Sequence, residues 1–174
     1  MDLRSAVRAV PDHPRPGITY RDITPLLGDP EAMGESVRLL AEAYEAHGVQ
    51  KVAGIEARGF VFGAALAHAL GAGFVPVRKL GKLPLPTYKA SYSLEYGEDA
   101  LEMHEDAVAP GERVLLVDDL LATGGTASAA AGLLRRGGAD LLGAAFVIEL
   151  DGLGGRERLV GEGIEALSLM RFEG

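Results

Sequence analysis

The stretch from Val114 to Thr126 constrains what this chain can fold into more than any other. It opens with Val114-Leu115-Leu116-Val117, an apolar run without a turn residue, which suits a strand buried on both faces of a helix-covered parallel sheet. Asp118 and Asp119 stand at the predicted strand end, and after Leu120-Leu121 comes the small-residue loop Ala122-Thr123-Gly124-Gly125-Thr126. Apolar and small residues resume at Ala127 and continue to Leu134, so the loop should lead straight into a helix. A strand, a glycine-threonine turn and a helix N-terminus form a phosphate site. Free backbone N–H groups face the anion, glycine admits close approach, and the helix dipole favours negative charge. Two carboxylates beside a phosphate would repel it unless they serve another purpose. They either hold Mg²⁺ or accept hydrogen bonds from sugar hydroxyls of the same ligand. On both readings the ligand is a phosphorylated sugar.

A chain of 174 residues, 48% hydrophobic and 24% charged, fits one soluble domain with a core of its own. No apolar run reaches membrane-spanning length and the N-terminus lacks a signal-peptide core, so the expected location is the cytoplasm. The absence of cysteine excludes disulfides, thiolate metal sites and a cysteine nucleophile. A net charge of -8 argues against a nucleic-acid or anionic-membrane partner. It leaves room for a local basic site, and Arg78, Lys79, Lys82 and Lys89 form one, against the alternative of a solvated charge run. Asparagine is absent and Gln50 is the sole glutamine, a pattern that fits either selection against heat-labile amides or a biased genome.

Along the chain, Leu3, Ala6, Val7 and Val10 recur at helical spacing, which predicts a short amphipathic helix over Asp2 to Val10. A stiff proline-rich loop and the β-prone Ile18 to Ile23 follow, so residues 1–28 read as a strap and a lip carrying Tyr20 and Arg21. Asp29-Pro30 caps a helix that ends at His47-Gly48. Val49 to Ala57 predicts a strand, Phe60 to Leu70 a helix, and the turn between them carries Glu56 and Arg58 at the strand's carboxyl end, the ligand-binding edge of open α/β sheets. Arg58 is an anion-clamp candidate there, weighed against a surface ion pair with Glu56. Gly73 to Arg78 is a strand whose Pro76 points to an edge or a strand end. Residues 79–99 show no helical period and read as a lid loop with three tyrosines. Ala100 to Ala107 alternates as a half-buried strand with Leu101 and Met103 inward and Glu102 and His104 on the polar side. Leu141 to Leu150 and Ile164 to Met170 complete the strands, with a loop and short helix over Gly152 to Val160. The order is that of a single α/β domain over residues 1–174, a parallel central sheet flanked by helices.

Neither a Walker A lysine nor a G-x-G-x-x-G fingerprint is present, which demotes nucleotide hydrolysis and nicotinamide chemistry. No G-x-S-x-G elbow supports acyl transfer, and the four histidines lack metal-ligand spacing.

The Val114 to Thr126 stretch resembles the phosphoribosyl-diphosphate (PRPP) signature of type I phosphoribosyltransferases. Pro11 to Pro25, Ala53 to Phe60, Arg78 to Pro84 and Ala90 to Gly97 narrow the resemblance to the adenine phosphoribosyltransferases over nearly the whole chain. It implies the type I phosphoribosyltransferase fold, with a short N-terminal helix and strap and a mobile lid loop. It also implies purine salvage by transfer of the 5-phosphoribosyl group from PRPP to adenine, giving AMP and pyrophosphate, in a homodimer. Asp118 and Asp119 would contact the ribose hydroxyls, directly or through water and Mg²⁺, with the ion held mainly by PRPP. Ala122, Thr123, Gly124, Gly125 and Thr126 would cradle the 5-phosphate. Arg58, Arg78, Lys79 and Lys82 would hold the diphosphate, with Arg58 and Lys82 assisting its departure, and a non-proline cis peptide is implied at Glu56-Ala57. Tyr20 would stack on adenine, with Arg21 and Leu150 lining the pocket. Many hypoxanthine-guanine relatives carry an aspartate where this chain has Ala122, so the proton for purine N7 is assigned instead to Glu95 on the lid.

Two other readings remain at this level. A 6-oxopurine phosphoribosyltransferase would keep the fold and take hypoxanthine, guanine or xanthine, bases whose C6 carbonyl demands a different partner from adenine's amino group. A non-catalytic PRPP-sensing regulator is less favoured, since the chain offers neither spare length nor a basic helix for DNA.

Overall fold

A computed structural model describes residues 1–94 and 97–174. Leu3–Ala6 form a single 3-10 turn capped by the Asp2 carboxylate, and the chain then enters strand β1 (Arg8–Val10). β1 pairs antiparallel with β2 (Tyr20–Asp22) in a small separate ribbon. This corrects the helix expected over Asp2 to Val10. The β-branched Val7 and Val10 favour extended backbone, and the β1–β2 pairing outweighs a helical period too short to sustain a helix.

Helix α1 (Thr24–Gly28) follows, then α2 (Pro30–Tyr44), where Asp29 accepts from the N–H groups of Glu31 and Ala32 at the N-cap. A 3-10 turn over Glu45–His47 ends at Gly48. Next come β3 (Lys51–Ile55), α3 (Arg58–Leu70) and β4 (Gly73–Lys79). Much of the stretch read as an irregular lid is strand: β5 (Thr87–Leu94) and β6 (Gly97–His104) pair antiparallel in a hairpin. The period-2 signal is carried by Tyr88, Ala90 and Tyr92, which turn inward, while Lys89, Ser91 and Ser93 are exposed. β7 (Arg113–Leu121), α4 (Gly125–Arg136), β8 (Asp140–Asp151), α5 (Gly155–Gly161) and β9 (Ala166–Glu173) complete the fold.

The large sheet has the order β5-β6-β4-β3-β7-β8-β9. Its parallel part runs from β4 to β9, and the hairpin joins β4 only at Arg78 and Lys79. Pro76 therefore lies where β4 is paired on one side, which accommodates its missing donor.

β7 is central, and Val114, Leu115, Leu116 and Val117 are all completely buried. Val114 and Leu116 face α4, packing with Ala130, Leu134 and Phe146. Leu115 and Val117 face the opposite layer with Phe62 and Leu66 of α3 and Leu40 of α2. Each such side chain contributes about 1.5–3 kcal/mol through burial. The consequence for function is a rigid strand that carries Asp118 and Asp119 out of the core at a fixed height.

Candidate active site

β7 continues through its two acids to Leu121, held by pairing with β8, whereas its pairing with β3 stops at Val117. The acids thus lie within the strand, where the sheet opens on one side only. The floor of the resulting cleft, about 250 Å³, is made by Asp118, Asp119 and the loop from Ala122 to Thr126; Arg58, Glu56, Lys79 and Tyr92 form its walls. Residues expected from sequence to serve a phosphate, a ribose and a diphosphate are brought together here from α3, β4, β7 and the start of α4.

Gly59, in the first turn of α3, is needed for this convergence. A Cβ there would lie 2.8 Å from Asp118 Oδ1 and 3.1 Å from the Val117 carbonyl, so a larger residue would push α3 off the acid. The Glu56–Ala57 bond just before the helix is cis. That agrees with the implication drawn from the resemblance.

Electrostatics differ sharply between the neighbouring acids. Burial, together with the adjacent Asp119 charge, pushes the Asp118 carboxyl well above the usual carboxylate range. Its Oδ1 accepts the Asp119 N–H at 2.9 Å. Asp119, 7% exposed, receives the Nε–H of Arg58, and this pairing raises the arginine's pKa. Arg58 is therefore not the partner of Glu56, the alternative that its surroundings in sequence offered. Glu56 instead accepts the Lys79 N–H at 2.9 Å and an Arg78 Nη2–H at 3.1 Å, and these bonds hold its carboxyl below the ordinary range.

Arg78 lies behind the cleft rather than on its wall, and Lys82 is exposed on the turn beyond. That turn is anchored by Glu102. Oε1 accepts the N–H groups of Lys82 and Leu83 at 3.1 and 3.0 Å, and Oε2 accepts the Thr87 hydroxyl at 3.2 Å. Glu102 is 3% exposed, contrary to its expected place on the polar side of the strand. Its three donors explain how a carboxylate is tolerated there. Lys79 donates to the Tyr92 hydroxyl at 2.6 Å and to Asp99, tying the cleft to the hairpin. Burial opposes its charge, but Asp99 and Tyr92 keep its pKa above the ordinary lysine value.

Arg21 and Leu150 line a second cavity of about 470 Å³ with Gly17, Ile18, Thr19 and Leu153. Thr123 borders both cavities, so the two adjoin at the Ala122 to Thr126 loop. The guanidinium of Arg21 lies over the Phe172 ring, 4.6 Å from its centre. Tyr20 is half-buried and meets His13 edge-on at 5.3 Å, outside that lining. Glu95, expected from sequence to donate a proton, lies outside the described residues. Glu56, Tyr92, Asp99 and Glu102 escaped the sequence reading as site-building residues. Glu102 carried one weak signal, as an acid in a strand whose other mid-strand neighbours are apolar.

A family model described as the phosphoribosyl transferase domain matches residues 27–160. An adenine phosphoribosyltransferase of Rhizobium meliloti (strain 1021) is 56% identical over 173 residues, covering 99% of this chain and 96% of that protein. The chain belongs to the adenine phosphoribosyltransferase family. Among solved structures, the adenine phosphoribosyltransferase of Thermoanaerobacter pseudethanolicus is 48% identical with a TM-score of 0.93, covering 98% of each chain. The Saccharomyces cerevisiae adenine phosphoribosyltransferase, solved with D-2,5-dideoxy-2,5-imino-altritol 1,6-bisphosphate and adenine, is 41% identical with a TM-score of 0.89, covering 97% of this chain and 96% of that one. Membership in this family joins a mostly parallel sheet flanked by helices to a cleft at the carboxyl edge of its central strands.

Proposed function

We propose that this chain transfers the 5-phosphoribosyl group of PRPP to adenine, releasing pyrophosphate and forming AMP, as a step of purine salvage. The observation that carries this reading is the convergence of Asp118, Asp119, the Ala122 to Thr126 loop and Arg58 on one cleft, adjoining at Thr123 a cavity lined by Arg21 and Leu150.

The loop N–H groups and the α4 dipole receive the 5-phosphate. Asp118 and Asp119 meet the ribose hydroxyls as hydrogen-bond acceptors. Arg58 and Lys79 face the diphosphate from the cleft wall; Lys82, on the turn that Glu102 anchors, adds positive charge on that side, and Arg78, held in β4 by Glu56, supports the wall from behind. As the C1–oxygen bond breaks, C1 gains positive character and the leaving diphosphate gains negative charge, which these cations stabilise. Adenine N9 attacks C1, and Glu95 supplies the proton to N7, its role resting on the family resemblance.

The donor set fits Mg²⁺. Carboxylate oxygens are hard ligands, and an ion carried by the diphosphate would meet Asp118 and Asp119 through water. Bound there, Mg²⁺ supplies charge neutralisation on the leaving group.

A homodimer belongs to the same reading, with a mass in solution near twice the 18.2 kDa of the chain as its check. So does a cytoplasmic location; among the described residues no helix is long and apolar enough to cross a membrane. The base is tested by supplying PRPP with adenine, hypoxanthine, guanine and xanthine in parallel. Nucleotide should form from adenine, and faster turnover of a 6-oxopurine would contradict the assignment.

A further inference from the structure

Glu149 lies near the end of β8, beside Leu150, and has no part in the chemistry proposed for the cleft, yet its side chain is only 4% exposed. Arg156, in the first turn of α5, grips it in a fork: Nε donates to Oε1 at 2.9 Å and Nη2 donates to Oε2. The same guanidinium donates from Nη1 to the Ala166 carbonyl of β9 at 2.5 Å. A planar, charge-assisted fork of this kind fixes both distance and angle. It therefore sets where α5 begins.

What α5 begins against is the phosphate loop. A Cβ on Gly155 would collide with the Ala122 carbonyl oxygen, and one on Gly124 would lie 3.0 Å from the Gly155 carbonyl oxygen. The two backbones touch without side chains between them, so the depth of α5 is transmitted directly to the loop. We infer that the Glu149–Arg156 pair is a positioning device for the Ala122 to Gly125 loop, and that affinity for the sugar 5-phosphate, rather than turnover, depends on it. This rests on the reading of that loop as the 5-phosphate site.

The test titrates ribose 5-phosphate calorimetrically into the wild-type protein, Arg156→Lys, Gly155→Ala and the loop variant Thr126→Val, with thermal melts of each. Arg156→Lys keeps the charge and loses the fork; Gly155→Ala keeps both partners of the ion pair and presses on the Ala122 carbonyl. Both should weaken ribose 5-phosphate binding and raise KM for PRPP by roughly tenfold or more, because ångström-scale misplacement of a positioning loop has effects of this order or larger. At saturating PRPP, kcat should stay close to the wild-type value. If Arg156→Lys fails to melt cooperatively, Glu149→Gln, which removes the charge of the pair from the other side and is titrated in the same way, decides. Wild-type affinity in the folded variants, with Thr126→Val weakened, overturns the inference and leaves the phosphate reading standing. A lower kcat with unchanged KM for PRPP also overturns it, since that is the mark of a merely structural role. If Thr126→Val itself binds ribose 5-phosphate like wild type, the phosphate reading falls and the inference falls with it.

Discussion

Arg58 and Asp119 form an ion pair across the cleft, the arginine donating through Nε to the carboxylate. The proposed diphosphate clamp and ribose acid thus orient each other, and Arg58 keeps Nη groups for an anion. Arg58→Ala removes a cation from the leaving group and leaves Asp119 beside Asp118 without its partner. Hydrogen bonds to charged groups contribute about 1.5–3 kcal/mol, so KM for PRPP should rise about ten- to a hundredfold. Steady-state kinetics with varied PRPP check this, and Arg58→Lys should recover part of the loss.

Glu102→Leu should act at a distance, through the turn. Leucine accepts from none of the Lys82 N–H, the Leu83 N–H and the Thr87 hydroxyl that the carboxylate satisfies. The expected cost is about 1–3 kcal/mol in urea unfolding, the penalty for leaving buried donors unmet. Affinity for pyrophosphate should fall while affinity for ribose 5-phosphate stays at its wild-type value, because the turn serves only the diphosphate side. Equal loss of both would contradict the positioning role.

Asp118 gives a pH prediction with a definite sign. Its folded pKa is raised by burial and by Asp119, so its contribution to stability is greatest below the unfolded value near 3.9 and declines as pH rises toward the folded value. Asp118→Asn, which retains an acceptor for the Asp119 N–H, should therefore stabilise the protein at pH 7, read as a higher urea midpoint than wild type. That gain should shrink as unfolding is repeated toward pH 4. Glu56 and Glu149 run the other way: the Lys79 N–H and the Arg156 guanidinium, respectively, hold them below the ordinary range. Their stabilisation is present above the unfolded carboxylate pKa and is lost as pH falls through their folded values. Transferase activity of Asp118→Asn should drop despite the added stability.

Glu95→Gln addresses the proton. General-acid catalysis contributes typically about 10²–10⁴-fold, so kcat should fall by that order with KM for PRPP little changed. A pH–rate profile should lose one limb in the variant. Near-wild-type turnover would assign the proton to another group.

Much of this architecture is legible in the chain itself, and the reasons are local. Val114 to Val117 announces a strand buried on both faces because all four residues must be apolar there, and Ala122 to Thr126 announces an anion site because only small residues let backbone donors converge. Asp29-Pro30 marks a helix start through a cap that needs no tertiary information. What stayed hidden depends on partners far along the chain. Glu102 reads as a polar-face residue until Lys82, Leu83 and Thr87 are folded against it. The pairing of Arg58 with Asp119 instead of Glu56 is set by how α3 packs on β7, with Gly59 against Asp118. The β1 strand replaces a predicted helix because Tyr20 to Asp22 pairs with it, a contact that periodicity over Asp2 to Val10 does not contain.

The assignment as a transferase stands or falls on AMP formation from adenine and PRPP, followed by separating nucleotide from base with and without Mg²⁺. AMP and pyrophosphate should appear in equal amounts with Mg²⁺, and chelating the ion should cause a large loss of rate. A folded protein that binds PRPP yet forms no nucleotide from adenine or any other purine would contradict it.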